Sequence, residues 1–100
     1  MKVAIPVKSI DSIEAEVLRS FEGAPYFAVI ERVGDEVKVD LYPNPANSPS
    51  ELAQVLLSYG VKRVFYPSAT PLVKSALSQL GIEPVEGEFK TLREAIYSLF

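Results

Sequence analysis

The sequence predicts an α/β domain of three layers, with helices on both faces of a mixed, mainly parallel five-stranded sheet that contains one antiparallel hairpin. Three observations lead there. Helix starts of similar form recur at Ser48-Pro49-Ser50-Glu51, Thr70-Pro71 and Thr91-Leu92-Arg93-Glu94. Each opens with a hydroxyl that can accept from the unsatisfied amides of a first turn. Two add Pro at the first helical position, and two add Glu three residues on. Short branched-apolar runs at 61–66 and 82–85 separate these helices, as strands joined by helical crossovers require. Earlier, the runs 26–32 and 37–42 flank Gly34-Asp35, the pattern of a β-hairpin.

Val3-Ala4-Ile5-Pro6-Val7 is a nearly continuous apolar run, suited to a strand covered on both faces. Pro6 cannot donate to a ladder, so a bulge or strand end is expected there. Asp11-Ser12-Ile13-Glu14 can start a helix of one or two turns through Leu18, with Asp11 as cap and Ile13 and Val17 on one face. In the run 37–42, Val37, Val39 and Leu41 alternate with Lys38 and Asp40, so the apolar set faces inward. Pro43-Asn44-Pro45-Ala46-Asn47-Ser48-Pro49 is a loop by composition. The helix it delivers buries Leu52, Val55, Leu56 and Tyr59 at the 3.6-residue period and stops at Gly60. The next helix buries Leu72, Val73, Ala76, Leu77 and Leu80 and stops at Gly81. The last buries Leu92, Ala95, Ile96 and Leu99.

Composition narrows the chemistry. The 100 residues form one domain, and 48% of them are apolar. A net charge of -3 with no basic run gives no footprint for nucleic acid. The absence of both Cys and His removes disulfides, thiolate and imidazole metal sites, and Ser-His-Asp catalysis. The apolar runs fall well short of the ~18 residues of a membrane helix, and no signal peptide is seen. A cytoplasmic protein that uses no membrane is expected.

In a sheet of this kind ligands bind beyond the carboxyl ends of the strands. Three segments should converge there, 8–21, 43–48 and 67–70. The Asp and Glu residues do not form the clustered carboxylates of a metal-dependent nuclease. Asp11 and Asp40 stand without further partners, and Glu83, Glu86 and Glu88 read as a solvated rim. No acid–base or nucleophilic pair emerges, so no catalytic residue and no metal ligand is assigned.

The opening Lys2-Val3-Ala4-Ile5-Pro6-Val7, the segment Ser20-Phe21-Glu22-Gly23-Ala24-Pro25-Tyr26-Phe27 and Asn44-Pro45-Ala46 together resemble the dinitrogenase iron–molybdenum cofactor biosynthesis family, over nearly the whole chain. That resemblance implies a ribonuclease-H-like fold. It also implies a small non-enzymatic carrier or chaperone of iron–molybdenum or iron–sulfur clusters. The family's segment runs roughly "HFGRAPYF", and Ser20 stands where its candidate ligand His would be. A hydroxyl is a poor ligand for iron or molybdenum, so the natural task for Ser20 is to cap or line the loop. The family's Gly-rich loop corresponds here to Pro67-Ser68-Ala69-Thr70-Pro71. Ser20, Phe21, Ser68, Ala69 and Thr70 are accordingly the candidate cofactor-binding residues. Thr70 heads a helix whose free amides suit an anion, although an ordinary cap stabilising by ~1 kcal/mol accounts for the same residue. Phe21 is the candidate pocket wall, with Phe27 in the core, and Lys8 and Arg19 flank the region. Two other readings stay open: a small-anion binder at the Thr70 helix start, and a protein-interaction module. The latter would self-associate or bind a partner through Tyr59, Tyr66, Tyr97 and Phe100.

Overall fold

The computed structural model describes residues 2–9, 12–21, 23–45, 48–65, 70–85 and 87–99. Five strands, β1 (Lys2–Val7), β2 (Tyr26–Val33), β3 (Glu36–Pro43), β4 (Arg63–Phe65) and β5 (Glu83–Val85), alternate in their second half with α1 (Pro49–Ser58), α2 (Pro71–Gln79) and α3 (Leu92–Leu99). The sheet order is β3-β2-β1-β4-β5. β1 is parallel to β4 and β4 to β5, while β2 is antiparallel to both β1 and β3. β2 alone therefore runs against the other four. The antiparallel β1–β2 pairing, from Lys2↔Glu31 to Val7↔Tyr26, is a feature the sequence reading lacked.

Pro6 neither bulges nor ends its strand. It sits opposite Phe27 inside the β1–β2 ladder, and its carbonyl accepts from Leu18 N at 2.9 Å. The backbone of Pro6 thus faces away from β2, and its missing N–H costs that ladder nothing. The turn between β2 and β3 has Gly34 at φ 61, with no positive φ at Asp35. Glycine first in a two-residue connection is the type II′ pattern, whose twist matches the flanking strands.

The helices begin where the hydroxyl caps predicted. Ser48 Oγ accepts from Glu51 N at 3.2 Å, Thr70 Oγ1 from Val73 N at 3.3 Å, and Thr91 Oγ1 from Glu94 N at 3.4 Å. α1 and α2 end alike. Gly60 N donates to Leu57 O and Val61 N to Leu56 O; Gly81 N donates to Ser78 O and Ile82 N to Leu77 O. Each is a Schellman closure with glycine in the left-handed region, φ 76 and 73, and an apolar residue folded back onto the last turn.

α1 and α2 cover one face of the sheet, where Leu52, Leu56, Val73 and Leu77 pack on Ala4, Phe27, Val29 and Val64. α3 lies on the other face, with Leu92 and Ala95 against Val3, Ile5, Ile30 and Phe65. Leu72, expected on the inward face of α2, is 70% exposed, and Val73 and Leu77 form the buried face of that helix. Val37 is 40% exposed; it stands at the turn end of the edge strand, on the face that α3 alone covers.

The helix expected at 11–18 is absent from the described part of that stretch. Ser12 Oγ accepts from Glu14 N in a turn, and Val17 and Glu16 instead make antiparallel bridges to Val7 and Thr91. Ile13 is 39% exposed while Val17 is buried, so they share no face. Asp11, the expected cap, lies outside the described residues.

Candidate functional site

β1, β3, β4 and β5 all end at one edge of the sheet, and β2 begins there. The connections 8–25, 44–48, 66–70 and 86–91 therefore leave from that edge. No polar or charged residue among the described ones is buried.

Two of the three segments expected to converge are joined by Asn44. Its Nδ2 donates to Phe21 O at 3.2 Å and Ala24 O at 3.0 Å, while its backbone N donates to Pro25 O at 2.9 Å. A side-chain amide has two donors and can tie two carbonyls at once, so this residue fixes the curl of 21–25 against the end of β3. Gly23 supplies the positive φ of 75 that the curl requires. Phe21 is 2% exposed, its ring 6.2 Å from that of Phe27. It anchors the loop in the α1–α2 core. Ser20, just before it, is half-buried at the surface end of the loop. Thr70, exposed, uses its hydroxyl as the α2 cap. Ser68 and Ala69 lie outside the described residues, as do Tyr66 and Phe100.

A groove of about 900 Å³, which Arg19 lines and Ser20 does not, opens on the α3 side. One wall is the run 16–19. It is clamped on one side by Lys8 N to Glu16 O and Leu18 N to Pro6 O, and on the other by Val17 N to Lys90 O and Leu92 N to Ala15 O, at 2.9–3.0 Å. In effect this run fills the place beside β1 that β4, ending at Phe65, leaves vacant. The apolar floor is Phe65 against Phe89, ring centroids 4.9 Å apart. Arg19 and Glu88 pair across the rim at 3.8 Å, both well exposed, an arrangement that contributes little stability and can open to a ligand. Tyr97, 77% exposed, stands at the mouth. Below it Arg93, held by Glu14, is raised above its ordinary pKa by that hydrogen bond and charge.

Phe65, Phe89 and Lys90 were not singled out from the sequence. Their role depends on 16–17 bridging to 91, a long-range pairing with no local signal. Tyr59, suggested as free surface, instead packs its ring 4.3 Å from that of Tyr42 and 5.7 Å from that of Phe27.

A model of the family described as "Dinitrogenase iron-molybdenum cofactor" matches residues 1–100. The chain belongs to the dinitrogenase iron–molybdenum cofactor family. Among solved structures it is similar to PH0822, at 25% identity and TM-score 0.86, covering 99% of this chain and 89% of that one. It is also similar to a putative NifB protein from Thermotoga assigned to the DUF35 family, at 24% identity and TM-score 0.75 over 98% and 85% of the two chains. The apo form of the orange protein from Desulfovibrio gigas aligns at 19% identity and TM-score 0.81, again over 98% and 85%. No curated protein sequence matches the chain.

Within this family, the donor chemistry of the chain does not fit a resident metal centre. It has neither Cys nor His, and among the described residues no three Asp or Glu side chains gather where they could hold an ion. No described helix is long and apolar enough to cross a membrane.

Proposed function

We propose that the protein is a non-enzymatic, carrier- or chaperone-like binding protein of the cytoplasm, with an iron–molybdenum or iron–sulfur cofactor as cargo. The family match along the whole chain is the observation that carries this reading. Coordination of the cargo falls to its own ligands or to a partner's side chains, since this chain offers no thiolate or imidazole. What the chain contributes is a shaped, mixed-charge edge. Ser20, the backbone beside Phe21 and Thr70 ahead of α2 belong to it. The direction of β2, opposed to four parallel strands, supports the ribonuclease-H-like label that the resemblance implies.

The test is to mix the protein with iron–sulfur and iron–molybdenum clusters under strict exclusion of oxygen, separate on a sizing column, and assay metal in the protein peak. Stoichiometric metal, lowered by Ser20→Ala or Thr70→Ala, is the expected result. A metal-free peak would retire the carrier reading. In that event the protein-interaction reading takes its place, favoured by Tyr97 exposed at the mouth of the groove.

A further inference from the structure

We propose that the outer edge of β3 is a self-association surface, on which two copies pair antiparallel about Val39 and continue one sheet into the other. This surface is independent of the cargo.

Among the described residues, β3 has a strand neighbour on one side only. It is eight residues long, whereas the opposite edge, β5, has three and contains Pro84. A long unprotected edge is a template for strand pairing.

The direction of the free backbone groups follows from the turn. The two-residue connection makes Val33↔Glu36 a hydrogen-bonded pair, and such pairs alternate along the ladder. The Asn44 N to Pro25 O bond has the same parity at the far end. Val37, Val39 and Leu41 therefore turn their N–H and C=O groups outward.

Strand overlap and charge then select the register: an axis at Val37 or Leu41 would pair at most five of the eight residues, whereas one at Val39 pairs seven. In a two-fold antiparallel pair, residues equidistant from the axis face one another. With the axis at Val39, Val39 meets the partner's Val39 and Val37 meets the partner's Leu41. Lys38 then meets the partner's Asp40, twice by symmetry. An axis at Lys38 or Asp40 would place like charges opposite each other, which is unfavourable. Within one chain Lys38 lies opposite Glu31, but Asp40 lies opposite buried Val29. Pairing about Val39 gives Asp40 its cation and builds a row from Glu31 through Lys38 to the partner's Asp40. The same step sets the half-covered apolar row, with Val37 at 40% exposure, against its counterpart.

The test uses sedimentation equilibrium from micromolar to millimolar concentration, on the wild type, Lys38→Asp and Asp40→Lys. Both side chains are exposed, and matching melting curves check that folding is retained. The wild type should move from one-chain to two-chain mass. Each variant alone should bind itself at least about tenfold more weakly, because each sets like charges opposite across the axis. An equimolar mixture of the two should recover the two-chain mass. In that mixed pair the carboxylate introduced at position 38 of one variant faces the ammonium introduced at position 40 of the other. A wild type that stays at one-chain mass would overturn the proposal. So would variants that associate like the wild type, or a mixture that does not recover.

Discussion

Asn44 shows how much of the site rests on one side chain. Its two side-chain bonds close the 21–25 curl, beside the turn bond from Ala24 N to Phe21 O at 3.1 Å. Asn44→Ala should cost about 1–2 kcal/mol, the range for net loss of partly buried hydrogen bonds. Urea denaturation reads this directly, and a change below a few tenths of a kcal/mol would show the curl to be held by the Phe21 ring and the backbone bonds at Ala24 and position 44. Tyr42 offers a second residue-scale test. Desolvation, then the charge of Asp40 and the nearby Tyr59, raise its phenol above the ordinary value of 10.0. The folded state thus holds this proton more tightly than the unfolded chain. Its contribution is intact below pH 10 and is lost as pH rises from there through the folded-state value. Tyr42→Phe should flatten that alkaline loss of stability, measured as melting temperature against pH.

Elements were legible in the sequence where their cause is local. Ser48, Thr70 and Thr91 mark helix starts because a hydroxyl satisfying a first-turn amide is a short-range event. Gly60 and Gly81 mark ends for the same reason. The failures are long-range. The 12–18 stretch carries an acceptable helical pattern, yet its backbone is taken up by Pro6, Lys8, Lys90 and Leu92, and this pairing outweighs a weak local preference. Leu72 fits the apolar period of α2, but no second layer reaches it. At this scale Gly81→Ala is the informative change. Nothing lies within 4 Å of an added Cβ, so the whole cost is the left-handed backbone, about 1–2 kcal/mol. Gly81→Asn should lose less, because Asn tolerates that conformation. Equal losses for the two in thermal melts would mean that the Schellman closure does not fix the end of α2.

For the whole molecule, the strand order puts four strand ends and the start of β2 on one edge, and no polar or charged residue among the described ones is buried. The sequence revealed the Asn44 and Phe21 segments through their resemblance to a family. It could not reveal the Phe65–Phe89 floor, which exists only after 16–17 is bridged to β1 and to Thr91. The family assignment and the missing thiolate and imidazole together define the central claim, a carrier that holds a finished cofactor without ligating it through Cys or His. Anaerobic titration calorimetry of an intact cluster into the protein tests that claim most directly. Saturable heat at one cluster per chain is expected, with binding weakened by added salt, because charged contacts at an exposed rim are screened. Heats no larger than dilution at every cluster concentration would contradict it.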